Sequence, residues 1–209
     1  MELKERIIIG ATKLFFKEGV RRVTMDQIAA YLGVSKRTIY ETFSNKDELL
    51  KECIITHIQL QQEENSRIAA ESETALHFFL NLLSKGVENL KTSNPQFVND
   101  VRTYYPKIWS SIICTNRDYN VFQIIKLIQQ GINEGVFRND FEIPLISKLL
   151  TEIMSLLVDH DIFPPHIYAP AKLYTDSVMV LIRGICTSKG LEYIDNYLTT
   201  NLAFETKQA

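Results

Sequence analysis

The stretch TMDQIAAYLGVSKRTIYETFSNKDELL, Thr24 to Leu50, limits what this chain can fold into more than any other. Thr24 is a good N-cap, because its hydroxyl can accept from an amide of the first helical turn. Gln27, three residues on, completes a capping box, and Val23 and Ile28 stand at the positions of a hydrophobic staple. Ile28, Ala29 and Leu32 then share one apolar face, and Gly33 sits where helices commonly end in a left-handed residue. Ser35 caps a second helix, with Val34 and Ile39 again at staple spacing. Ile39 and Phe43 are four apart and share its buried side. That turns Arg37, Thr38 and Glu41 outward and leaves Lys36, Tyr40 and Thr42 on the flanks. Asn45 caps a third helix, with Glu48 at its capping-box position and Leu49 and Leu50 opening an apolar stripe. Two short helices joined by a glycine turn, the second showing cations, hydroxyls and a phenol, have the layout of a helix-turn-helix unit that reads DNA.

The residues before this unit fit it. Ile7, Ala11, Leu14 and Phe15 form an i, i+4, i+7, i+8 stripe that Gly19 ends. Three small helices with such stripes can share one core, with the Ser35–Phe43 helix outermost. Caps and stripes alone also fit a helical protein that never meets DNA, with Ser35 and Thr38 as plain caps and Lys36 and Arg37 as a solvated face.

The order of short motifs separates the two. A-x-x-L-F stands at Ala11–Phe15, E-G at Glu18–Gly19 and T-x-x-x-I-A at Thr24–Ala29; L-G-V-S-K follows at Leu32–Lys36, T-I-Y at Thr38–Tyr40 and F-S-N-K-D-E-L-L at Phe43–Leu50. In this order, from about Ile7 to Leu50, the chain resembles the N-terminal DNA-binding domain of the TetR family of transcriptional regulators. The resemblance implies that Lys36, Arg37, Thr38 and Tyr40 face the major groove and its flanking phosphates. It implies that Thr24 and Lys46 hold phosphate oxygens at helix starts, in keeping with the affinity of helix N-termini for anions. Ser35 joins them in fixing register on the backbone. Two positions depart from the family pattern: many relatives have Gly where Arg37 stands, and often His or Tyr where Thr42 stands. The extra cation at Arg37 suits a guanine edge or a phosphate.

The formal net charge of −2 argues at first against a nucleic-acid partner. Its distribution softens the objection. Residues 1–50 carry nine Lys/Arg against seven Asp/Glu, and the remainder 14 against 18. Affinity should then rest on a few placed phosphate contacts and on pairing of two chains, with no broad basic field. Three separated cysteines, Cys53, Cys114 and Cys186, without a C-x-x-C, fit a reducing cytosol and no zinc cluster; they read as small buried hydrophobes, with a thiol sensor as the alternative. The apolar run Ile7–Ile9 is too short for a signal peptide, and no run approaches a membrane span, so a cytoplasmic protein with no membrane partner is expected. The tail after about Ala203 is expected to be loose.

After Leu50 the pattern stays helical, and no strand alternation competes. The Asn45 helix should continue to near Arg67. Apolar residues at helical spacing mark further helices at Leu76–Leu90, Phe97–Tyr104, Val121–Ile132, Pro144–Val158, Tyr168–Thr187 and Leu191–Leu202. Pro106 should interrupt or kink the chain, and Pro144 suits a helix first turn. The fold class is all-α, with an N-terminal three-helix helix-turn-helix head over residues 1–50 and a larger C-terminal helical bundle over 51–209, for which the resemblance implies effector binding and dimerisation.

Two late helices are apolar on more than one side, as helices buried on two faces are. Leu149, Ile153 and Leu156 on the first, and Tyr174, Val178, Leu181 and Ile185 on the second, are the candidate dimer interface; a fully internal helix pair is the alternative. The resemblance implies the first: in this family the C-terminal helices form a two-fold four-helix interface. It also implies an effector pocket among the central helices, for which Phe79, Tyr104, Tyr105, Trp109 and Phe122 are candidates, although aromatics at helical spacing are more often core. Asp159, His160, Asp161 and His166 match no zinc spacing and read as a surface turn, so no metal is assigned.

No nucleophile elbow, phosphate loop, H-E-x-x-H or C-x-x-C is present, so no catalytic residue and no cofactor is expected. The expectation is a homodimer on a palindromic double-stranded DNA operator, released by a small-molecule effector. Repression is the family's usual outcome; a helical enzyme and a helical adaptor are the competing classes.

Overall fold

The computed structural model describes residues 2–92 and 94–205; Met1, Ser93 and residues 206–209, with most of the tail beyond Ala203, lie outside it. The described residues form helices and no strand, apart from one isolated bridge between Phe137 and Cys186. The helices are α1 Leu3–Glu18, α2 Met25–Leu32, α3 Lys36–Thr42, α4 Lys46–Glu71, α5 Ala75–Thr92, α6 Pro95–Tyr104, α7 Pro106–Ile108, α8 Cys114–Asn133, α9 Ile143–Leu156, α10 Pro170–Ile185 and α11 Ser188–Glu205. A π-helical turn over Trp109–Ile113 joins α7 to α8. Prolines open α6, α7, α9 and α10, where the missing amide costs nothing and the fixed φ favours the first turn. No described helix is long and apolar enough to cross a membrane.

The chain packs as two compact units. The first comprises Met1–Arg67 and Asn89–Asp118. Its core holds the expected stripe, Ile7, Ala11, Leu14 and Phe15 of α1, against Ile28 and Ala29 of α2, Ile39 and Phe43 at α3, and Leu49, Leu50, Cys53 and Ile54 of α4. It also takes Phe97 and Val101 of α6 and Ile108 of α7, which the local pattern did not assign to it. Phe97 stacks on Phe16 of α1 at 4.1 Å between ring centroids. The buried carboxylate of Asp100 fixes the same contact: it accepts from the Arg21 amide at 2.7 Å and from Gln96 Nε2 at 2.8 Å. A buried carboxylate is tolerated because such charge-assisted bonds replace its water.

The second unit comprises Ile68–Glu88 and Tyr119–Ala209. Leu76, Phe79, Leu80 and Leu83 of α5, Leu127 and Ile128 of α8, Leu150 of α9, Val178, Ile182 and Ile185 of α10, and Ile194 of α11 form its core. Glu134, just past α8, caps α5 by accepting from the Ala75 amide at 2.9 Å. The α8–α9 turn closes on the end of α10, where Arg138 N donates to Ile185 O and Thr187 N to Val136 O.

The phase of α10 corrects the sequence expectation. Val178 is 0% exposed and Ile185 is buried, so both belong to the unit's own core. Tyr174 lies against Gly86 of α5, where an added Cβ would come within 2.9 Å of its ring, and burial raises its phenol above the usual range. These three side chains therefore face inward and are removed from the candidate dimer surface. The neighbouring row faces out instead, with Val180 71% exposed and Gly184 beside it. On α9, Leu149 and Leu156 are exposed together with Leu145. Ile153 and Leu181 are half-buried against the core.

Candidate nucleic-acid interface

The capping residues act as the local chemistry requires. Thr24 Oγ1 accepts from the Gln27 amide at 3.2 Å, and Gln27 Oε1 accepts back from the Thr24 amide at 2.8 Å, so α2 starts in a full capping box. Gly33 turns the chain with φ +66° and ψ 32°, a left-handed conformation that costs glycine little and other residues more. Its amide returns to Ala30 O, and the Val34 amide to Ala29 O at 3.0 Å. Ser35 Oγ accepts from the Thr38 amide at 3.0 Å, and the two hydroxyls lie 2.7 Å apart.

With the turn set, α3 is anchored from below. Ile39 is 0% and Phe43 1% exposed, and burying such side chains stabilises a fold by roughly 1.5–3 kcal/mol each. The opposite side presents Lys36, Arg37, Tyr40 and Glu41 to solvent, with Tyr40 44% exposed. Lys36 Nζ lies 2.8 Å from Asp26 Oδ1 and 2.9 Å from Oδ2, and 5.9 Å from the centre of the Tyr40 ring. The hydrogen bond to Asp26 raises the lysine above its usual pKa, with charge attraction adding to it. Arg37 Nε donates to Glu41 Oε1 at 2.7 Å. Both cations of this face are thus matched by a carboxylate of the same head.

The candidate residues separate accordingly. Lys36, Arg37 and Tyr40 share one exposed face. Thr38 is half-buried, and with Ser35 and Thr24 it is engaged in capping that sets the pose of the two helices. Lys46 points elsewhere: its ammonium donates to Val20 O at 2.6 Å and lies 5.9 Å from the Phe15 ring centre. Burial lowers its pKa, partly offset by the charges of Asp100 and Asp47. In this arrangement Lys46 ties the start of α4 to the α1–α2 turn. Two partners escaped the sequence reading. Asp26 lies ten residues from Lys36 across a turn, beyond any helical spacing rule, whereas the i, i+4 spacing of Arg37 and Glu41 was available. Tyr31 of α2 is also exposed and was not singled out.

The candidate effector aromatics divide between the two units. Phe79 is in the core of the second unit, while Tyr105 and Trp109 pack on the core of the first. Tyr104 is exposed and accepts from Arg21 Nη1 at 3.1 Å; Phe122 is exposed with Lys126 Nζ 4.4 Å from its ring centre. At the Asp159–His166 turn, Asp159 Oδ1 accepts from the Asp161 amide at 3.0 Å. Among the described residues no three His, Cys, Asp or Glu side chains converge as metal ligands. Burial pushes the thiol of Cys53 up to about 12 and that of Cys186 up to about 11, so neither supplies a thiolate near neutral pH.

Against known proteins, residues 7–53 match the model of the bacterial regulatory proteins of the tetR family. Two curated relatives are similar over part of the chain. The uncharacterized HTH-type transcriptional regulator YvaF of Bacillus subtilis is 27% identical over 53% of this chain and 58% of its own length. The HTH-type transcriptional repressor BepR of Brucella suis is 30% identical over 46% of this chain and 47% of its own length. The chain thus spans about half the length of these curated relatives. The crystal structure of the transcriptional regulator FadR of Bacillus subtilis, in complex with stearoyl-CoA, has the same fold: TM-score 0.68 at 19% identity, over 87% of this chain and 98% of that one.

Proposed function

The chain belongs to the tetR family of bacterial regulatory proteins, and on that premise we propose that it is a transcriptional repressor that binds a palindromic DNA operator as a homodimer. The observation that carries this is the α3 face: Lys36, Arg37 and Tyr40 stand outward on a helix whose other side is locked by Ile39 and Phe43. A helix so mounted can enter a major groove without disturbing its own core. Residues 1–50 are the part that reads DNA. Lys36, Arg37 and Tyr40 supply base and phosphate contacts. Thr24, Ser35 and Thr38 fix the angle of α2 and α3, and Lys46 holds the head to α4.

Residues 51–209 supply pairing and control. Leu145, Leu149 and Leu156 on α9 with Val180 and Gly184 on α10 form an exposed apolar surface that suits a second copy of the same chain. Pairing places two α3 helices about 34–36 Å apart, in successive major grooves of one duplex face. A small-molecule effector bound by residues 51–209 then weakens DNA binding by favouring a dimer with misspaced heads. A coupling of about 1–3 kcal/mol is typical of such linkage. FadR, of the same fold, holds an acyl-CoA in its crystal structure, which supports a small-molecule effector without identifying this one.

Titration of the full chain with genomic duplex fragments over a range of salt tests the proposal. Saturable binding by a dimer, weakening linearly in log salt, is expected. A monomer by light scattering, or no duplex binding at low salt, contradicts it.

A further inference from the structure

Arg37 and Lys36 are neighbours on α3, yet their carboxylate partners hold them differently. Lys36 is a point charge tied across the turn to both oxygens of Asp26. Arg37 is tied along its own helix, and only its Nε–H is used in the bond to Glu41 Oε1 at 2.7 Å. A guanidinium has five N–H donors in a rigid planar fork. A carboxylate on Nε fixes the plane of that fork while leaving the edge between the two terminal nitrogens directed away from it. That edge is the one whose spacing matches O6 and N7 of guanine. An unrestrained arginine must surrender rotamer freedom when it docks. Glu41 imposes part of that order beforehand, on a side chain that is otherwise exposed.

We propose that Arg37 reads a guanine in each half-site and that Glu41 is the positioning residue that presents it; this rests on the DNA-binding reading above. The assignment separates two effects that usually move together. Glu41 is an anion carried toward phosphates, so removing it lowers general repulsion. It also releases the Arg37 fork, so the same removal weakens base discrimination. General affinity and base preference should therefore change in opposite directions.

Selection of bound duplexes from a random pool, with the full-length chain and its variants, tests this. The wild type should enrich guanine at one fixed position of each half-site. Arg37→Ala should abolish that preference, a loss of roughly tenfold or more in discrimination. Glu41→Ala should reduce the preference severalfold while binding to non-cognate duplex stays equal or tightens. Glu41→Gln, whose amide oxygen can still accept from Nε, should retain most of it. Both residues are exposed, so thermal melting should be nearly unchanged and loss of fold is separable. An unaltered base preference in Arg37→Ala, or in Glu41→Ala, overturns the proposal. A wild-type chain that binds no duplex at all overturns the DNA reading itself, and this proposal with it.

Discussion

α3 and α10 each bury one side and show the other, but what they show differs in kind. On α3 the outward row is Lys36, Arg37 and Tyr40, with each cation matched to a carboxylate. On α10 it ends in Val180 and Gly184, in line with the exposed Lys172–Asp176 ion pair, and α9 exposes Leu145, Leu149 and Leu156. Water accepts the first surface, and a phosphate can take over the place of Asp26 on Lys36. Water accepts exposed Leu and Val side chains poorly, and such exposed apolar positions on two neighbouring helices suit a protein partner better than solvent. The difference teaches how to read a helix that is amphipathic twice over: under the proposed function, the chemistry of the outward row suits nucleic acid in one case and a second protein chain in the other.

Charging the apolar row should break the comparison most severely. Leu149→Glu or Val180→Glu should give monomers by light scattering with the second unit still folded, since neither side chain is in its core. Operator affinity should fall about 10²–10⁴-fold as the two heads lose their linkage. Undermining α3 from below should come next. Phe43→Ala should destabilise the head by about 3–5 kcal/mol in denaturant titration, because the ring is fully buried. A smaller change sharpens the electrostatic half. Asp26→Asn frees Lys36 in each head, so duplex affinity should rise a fewfold and the slope of log affinity against log salt should steepen by about 1.8 for the dimer, one counterion per head. The smallest effect is a pH dependence. Hydrogen bonds from the Ser44 hydroxyl and amide hold the Glu48 carboxyl below the usual range. Its contribution is present above the unfolded-state value and is lost as pH falls through the lower folded value. Glu48→Gln should therefore flatten the acid limb of head stability followed by circular dichroism.

The comparison also explains what could be read from the chain alone. The α2–α3 unit was legible in detail, since Thr24 with Gln27, Gly33, Ser35 with Thr38, and Ile39 with Phe43 all act within four residues of each other. Helix spans in the C-terminal part followed from apolar spacing and prolines. What escaped is long-range. Nothing local in Phe97, Val101 or Asp100 says that α6 packs on α1 and on the Arg21 amide 79 residues away. Nothing near Lys46 says that its ammonium ends on Val20 O. On α10 two apolar rows compete, and only packing decides between them. The row with Val178 and Ile185 went to the core because α5 and α8 lie against it, which left Val180 outside.

A photoreactive residue placed at position 40, and separately at position 180, tests the central claim most directly. From position 40 the account predicts cross-links to major-groove bases at two sites about 10 base pairs apart, and from position 180 cross-links to a second copy of the chain. Position 180 linking to DNA, or position 40 linking only to protein, would contradict it.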